Sequence, residues 1–201
     1  MSLLNIIEIF GIAFFTVTGA IEAKRRGMDL VGVFVIAFIT AFGGGTLRDV
    51  ILNRYPLFWI AKPEYIVGTL ILSIATSLVM KFRHIKLSDR AIIVPDAVGL
   101  GLYSAVGVAY TIQTGVSFPV AILMGVITAT FGGVLRDIVC NEVPVIFKRG
   151  QLYATCAFAS SIVYFLVRTA SGDHISATAA SVMTAAILRI FSVKYDITLP
   201  L

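Results

Sequence analysis

Charge is scarce in this sequence. Only 13% of its 201 residues are Asp, Glu, Lys or Arg, about half the roughly 25% found in soluble domains. That shortage excludes a solvated globular surface over most of the chain. Histidine occurs twice, cysteine twice and tryptophan once. His84 falls in a basic loop and His174 in a polar turn, so both read as solvated loop residues, and no metal-ligand spacing exists. Cys140 and Cys156 fall in apolar or boundary segments, read as small hydrophobes, and assign no redox compartment. No nucleophile, base and orienting group occur together, which argues against an enzyme. No Lys or Arg precedes the first apolar run and no small-residue cleavage site follows it, so a removed signal peptide is not expected.

What the chain has instead is apolar residue, 58% by count, with a mean hydropathy of +0.96. A membrane span needs ~20 such residues. Seven windows meet that requirement, at about 4–21, 30–53, 64–80, 92–112, 118–140, 152–167 and 175–190. The expected fold is all-α, a polytopic membrane protein with a single membrane domain over 1–201. The formal charge of +5 does not point to nucleic acid, because the basic residues are scattered in short loops without interleaved aromatics. It points to topology. Lys24, Arg25 and Arg26, then Lys81, Arg83, Lys86 and Arg90, then Lys148 and Arg149, then Arg189 and Lys194 mark one face, whereas the opposite connectors hold only Arg54, Lys62 and Arg168. The bias predicts a multi-pass inner or plasma membrane protein of a prokaryote, with the N-terminus outside and the C-terminus cytoplasmic. Trp59, in a connector between Pro56 and Pro63, reads as an interfacial aromatic.

An internal repeat with an offset of 88 positions underlies this layout. Glu8 pairs with Asp96, Gly11 with Gly99, Phe15 with Tyr103, Thr16 with Ser104, Gly19 with Gly107 and Gly27 with Gly115. The match continues through Arg48 and Asp49 with Arg136 and Asp137, Asn53 with Asn141, Pro56 with Pro144 and Tyr65 with Tyr153. Repeat 1 covers about 4–80, repeat 2 about 92–168, and a seventh helix at about 175–190 is left over. Each unit crosses three times, so the second copy enters from the opposite side, an inverted repeat. Such repeats bring interrupted helices together near the bilayer midplane.

The costliest stretches are Gly43-Gly44-Gly45-Thr46-Leu47-Arg48-Asp49 and Gly132-Gly133-Val134-Leu135-Arg136-Asp137. A helix-interior glycine costs ~1 kcal/mol against alanine and a mid-membrane charge ~2.5–3.5 kcal/mol. The expectation is therefore a kink at Gly43, Gly44 and Gly45 and another at Gly132 and Gly133, against the plainer reading of close helix packing. Adjacent residues point about 100° apart on a helix, so Arg48 and Asp49, like Arg136 and Asp137, are expected to pair across the repeat or with freed carbonyls, shaping pore electrostatics or a gate. Glu8 and Asp96 are placed to draw cations into two vestibules, or else are interfacial groups facing water. Thr16, Thr46, Ser104 and Thr128 are candidate pore-lining hydroxyls, together with Thr18, Thr40 and Thr130, although most such groups bond their own helix. Phe42 and Phe131 are candidate constrictions.

With the twin Gly-Gly-x-x-Arg-Asp stretches, the three-span units and the seventh helix, the chain resembles the prokaryotic trimeric intracellular cation (TRIC) channel family over nearly its whole length. Bacterial sequences of that family are also labelled glycine transporters. The resemblance implies a homotrimer with one pore per protomer, lined by glycine-kinked second and fifth helices, conducting potassium and other monovalent cations without a cofactor. Its partners would be its own copies and membrane lipid. A secondary transporter of glycine or a similar small solute is the alternative. Phe131 stands where Gly43 stands in the first copy, a departure that leaves the second kink less well marked. The basic Lys-Glu-Val type signature of eukaryotic members is not found, so no phosphoinositide role is carried over.

Overall fold

The computed structural model describes residues 3–82, 89–148 and 152–197. Arg83, His84, Lys86 and Arg149, read above as loop or inner-face residues, lie outside them. Among the described residues all regular structure is helical. The long helices are α1 (Leu3–Arg25), α2 (Leu30–Ile51), α4 (Glu64–Phe82), α5 (Asp89–Ile112), α6 (Phe118–Val139), α7 (Tyr153–Ser171) and α8 (His174–Lys194). These seven are long and apolar enough to cross a membrane. Several outrun the hydropathy windows because an α-helix continues beyond the apolar run until a cap stops it: α1 reaches Arg25, and α8 begins at His174 behind the N-cap Asp173, which accepts from the amides of Ile175 and Ser176. Those two amides hold the Asp173 carboxyl below its usual range. Hydropathy gave no warning of the short helix α3 (Phe58–Ala61) or the 3-10 turn Val145–Phe147, which occupy corresponding connectors.

The repeat is visible in backbone detail. Asn53 and Asn141 both take the left-handed conformation just past the ends of α2 and α6, with φ of 51° and 57°. Asparagine tolerates this region better than other residues with a side chain. Gly27 and Gly115 share φ values of 74° and 75° in the preceding turns. Packing follows the same rule: α1 packs on α2 as α5 packs on α6, α4 lies on α1 and α2, and α7 lies on α5 and α6. The copies meet through α2 against α6 and α1 against α5, so these four helices form the centre. α8 breaks the symmetry by packing chiefly on α5 and α7 among the described residues.

The glycine stretches sit where α2 crosses α6. A Cβ on Gly44 would strike the Thr128 carbonyl, and one on Gly132 would strike the Thr40 carbonyl, the repeat-equivalent contact. Both helices continue as unbroken α-helix through these residues. No break in the helix accompanies the glycines, and at Gly44 and Gly132 they bring two main chains together. Phe42 is a core residue, stacked on Phe38 at 4.6 Å and Phe58 at 5.6 Å between ring centroids. Phe131 is half-buried.

Candidate functional site: two vestibules and a central seal

Two polar cavities enter the four-helix centre from opposite ends. Glu8 and Arg26, both on or just past α1, are eighteen residues apart, about 27 Å along a helix. The first cavity, about 350 Å³, is lined by Asn5, Glu8, Asp49, Arg54, Lys62 and Tyr110, among others. The second, about 560 Å³, is lined by Glu22, Arg26, Asp96, Arg136, Asp137 and Arg189, among others. Glu8 with Asp96 and Asp49 with Asp137 are repeat equivalents, so the two cavities are two versions of one construction.

The Arg-Asp pairs do not reach across the repeat. Arg48 folds back on its own neighbour, with Nε donating to Asp49 Oδ1 at 2.8 Å, and Arg136 Nε does the same to Asp137 Oδ1 at 2.9 Å. The expectation from helix angles fails because an arginine carries its guanidinium on a long chain that bends around the cylinder, and its planar fork grips one carboxylate. The second carboxylate oxygen caps the following connector, Asp49 Oδ2 accepting from the Phe58 amide at 2.9 Å and Asp137 Oδ2 from the Val145 amide at 2.9 Å. Each Arg-Asp pair therefore fastens the re-entry of the chain after its span.

Neither Glu8 nor Asp96 is a water-facing interfacial group; they are 2% and 5% exposed. Glu8 Oε1 stands 3.0 Å from Arg48 Nη2, a buried ion pair within the first repeat. Asp96, one methylene shorter, instead accepts from the Tyr153 hydroxyl at 3.2 Å, and the positive charges of Arg189 and Arg136 act on it. Arg48 is fully buried against the rings of Tyr110 and Phe58, at 4.7 and 5.3 Å. Arg54 covers the other part of this network, 3.7 Å from the Tyr110 centroid and 3.2 Å from Asp49 Oδ1. At the second mouth, Arg26 bridges Glu22 at 2.8 Å and Glu142 at 3.3 Å, tying the end of α1 to the connector after α6. Arg26 and Lys148 hold the Glu142 carboxyl below its usual range.

Along α1, Glu8, Phe15 and Glu22 recur every seven residues, about two turns, and along α5 Asp96, Tyr103 and Tyr110 do likewise. The outer members of each series line the cavities. The middle members, Phe15 and Tyr103, are repeat equivalents and meet edge to face with centroids 5.0 Å apart. Each ring lies over a glycine of the other copy, Tyr103 over Gly11 and Phe15 over Gly99. The Tyr103 hydroxyl donates to the Ala41 carbonyl at 2.6 Å. Both rings are 1% exposed and lie along α1 and α5 midway between the residues that line the two cavities.

The hydroxyls are occupied elsewhere. Thr18, Thr40, Thr46, Thr128 and Thr130 each donate to a carbonyl of their own helix at 2.7 to 2.9 Å. Ser104 donates to the Ala157 carbonyl and Thr16 to the Thr69 hydroxyl, both at 3.4 Å. None of these residues lines either polar cavity. His174 is not simply solvated, since its Nδ1 lies 2.7 Å from the Tyr164 hydroxyl. Sequence reasoning passed over the Phe15–Tyr103 seal, although the two residues were already paired by the repeat and spaced two turns from the acids. It also read Arg189 as a topology marker, whereas that side chain is 4% exposed and lies 4.9 Å over the Tyr153 ring.

Residues 5–81 and again 93–169 match the model of a family described as Glycine transporter, the same 88-residue offset appearing in the match itself. A UPF0126 membrane protein of Vibrio cholerae is 34% identical over 99% of this chain and 82% of its own length. The inner membrane protein YadS of Escherichia coli strain K12 is 31% identical over 96% of this chain and 93% of its own. Among solved structures, the TRIC trimeric intracellular cation channel orthologue from Rhodobacter sphaeroides superposes with a TM-score of 0.87 at 34% identity, over 98% of this chain and 100% of the other. A prokaryotic TRIC channel crystallised in 0.5 M KCl superposes with a TM-score of 0.86 at 28% identity, over 98% of each chain.

Proposed function

This chain belongs to the glycine-transporter family, the TRIC family of its solved relatives, and on that premise we propose that it is a homotrimeric monovalent-cation channel with one path per protomer. The path runs between α1, α2, α5 and α6, and potassium is the expected permeant ion. The protein sits in a bacterial inner membrane with the N-terminus outside, so the cavity at Glu8 faces outward and that at Asp96 faces the cytoplasm. The observation that carries the reading is the pair of repeat-equivalent vestibules with the buried Phe15–Tyr103 contact midway between them along α1 and α5. Both mouths exist in the same conformation, which suits a closed channel better than a carrier that opens to one side at a time. The carboxylates Glu8 and Asp96 stand at the inner limits of the two mouths, where they would hold a cation after part of its hydration has been shed.

Purified protein in a planar bilayer with potassium chloride is expected to show unitary current steps. Saturable uptake of glycine into proteoliposomes, with no step ever resolved, would overturn the channel reading in favour of the transporter. The seal makes a second expectation. Tyr103→Phe keeps the ring over Gly11 and removes only the hydrogen bond to the Ala41 carbonyl, worth about 0.5–1.5 kcal/mol net. Open probability should rise several-fold while unitary conductance stays unchanged. An unaltered open probability would show that the path does not close at this ring.

A further inference from the structure

The two copies differ in what covers the groove beside their third span. In the second copy α8 fills it: Ser181 Oγ donates to the Gly101 carbonyl at 2.9 Å, Ser160 Oγ donates to the Ser181 carbonyl at 2.8 Å, and a Cβ on Gly101 would stand 2.5 Å from the Val182 Cα. The first copy has no eighth helix of its own to do this. Its groove between α1 and α4 is an open cavity of about 440 Å³, lined by Ile9, Ile12, Ala13, Thr16, Gly68 and Thr69 among others. These six, at the 88-residue offset, are Ala97, Leu100, Gly101, Ser104, Cys156 and Ala157, all of them buried.

Gly68 marks the vacancy. Every other described glycine inside a span has a protein atom within 4 Å of where its Cβ would be, and Gly68 has none. A helical glycine costs ~1 kcal/mol against alanine, and close approach by another helix is what small residues in a membrane allow. A lipid chain needs no such allowance. The adjoining face of α4 is apolar and exposed, Val67 at 56% and Ile71 at 62%.

We infer that the α1/α4 groove receives a helix from a second copy of this chain, lying against the first repeat as α8 lies against the second. The inference rests on the homotrimer proposed above and names the surface through which it forms. Each protomer would then be completed on one side by its own seventh span and on the other by its neighbour.

Gly68→Trp fills the groove without touching the protomer's interior, so the monomer should fold with its ordinary heat stability. Native mass spectrometry in detergent is expected to show the trimer fraction falling at least ten-fold against the unchanged chain. Independently, a nitroxide on Gly68→Cys, in a Cys140→Ala, Cys156→Ala background, should be motionally restricted, and a nitroxide on Met183→Cys, 62% exposed on α8, should be mobile. A Gly68→Trp protein that remains trimeric, with a label at 68 as mobile as one at 183, would overturn the groove assignment and leave the channel reading standing. A monomeric unchanged chain would remove the trimer and the groove together, whereas conductance by a dispersed Gly68→Trp monomer would support both the groove and the separate path in each protomer.

Discussion

Gly44→Ala and Gly132→Ala are each expected to destabilise the protein by at least about 1–3 kcal/mol, the cost of forcing one extra carbon into a packed contact. The new Cβ would meet the main-chain carbonyl of Thr128 in the first case and of Thr40 in the second. A flexible side chain can swing aside, but a carbonyl held in a helix can move only if the helices α2 and α6 separate. Gly133→Ala supplies the control. Its nearest neighbours would be the Tyr153 hydroxyl at 3.5 Å and Arg136 Nη2 at 3.8 Å, so the methyl fits and helix propensity favours it by up to about 1 kcal/mol. Thermal unfolding in detergent should rank Gly133→Ala at or above the unchanged chain and both crossing variants well below it. Equal midpoints for Gly44→Ala and Gly133→Ala would mean that the crossing is not made at Gly44.

Arg48→Gln should be the most damaging change at the vestibules. Its guanidinium is 0% exposed and is shared between Glu8 and Asp49, both 2% exposed at the side chain. Taking one partner from a buried pair costs about 3–5 kcal/mol, because the remaining charge has lost its compensation. Here Glu8 would lose its ion-pair partner while Asp49 kept Arg54 and the Phe58 amide, leaving Glu8 beside a second carboxylate. Adding Glu8→Gln removes one of them, so the double variant is expected to recover part of the loss, and a double-mutant cycle should return a clear coupling energy. The cycle also separates a structural role from a conducting one. If the double variant folds and its unitary conductance equals that of the unchanged chain, Glu8 and Arg48 are a brace and not part of the path. A lowered conductance in the folded protein would place Glu8 beside the permeant cation. The equivalent change at Arg136 should cost less stability, since that pair is 9% and 10% exposed.

Much of the architecture was legible before any coordinate. Seven apolar runs announce seven helices because burial in hydrocarbon is a sum over roughly 20 neighbouring residues, and such a sum is carried by the chain itself. The repeat was legible for the same reason, and the left-handed asparagines and the two segments of the family match recur at the same 88-residue spacing. The positions of Arg48, Asp49 and Glu8 were recognisable as costly. Their partners were not, because helical angles say where a Cα–Cβ bond points and nothing about where a long guanidinium comes to rest. The glycines were similarly ambiguous: a kink and a close crossing ask for the same residue, and only the position of the facing carbonyl reveals the crossing.

The amino-acid order alone determined that this is a seven-helix membrane protein of two similar halves with a helix to spare, since hydropathy and periodicity are local properties. The tertiary structure alone decided that Phe15 meets Tyr103, that Gly44 lies on Thr128, and that one of two equivalent grooves is filled while the other stays open. Those contacts join residues distant in the chain, and their energies depend on how whole helices settle against one another, a quantity that no local window contains.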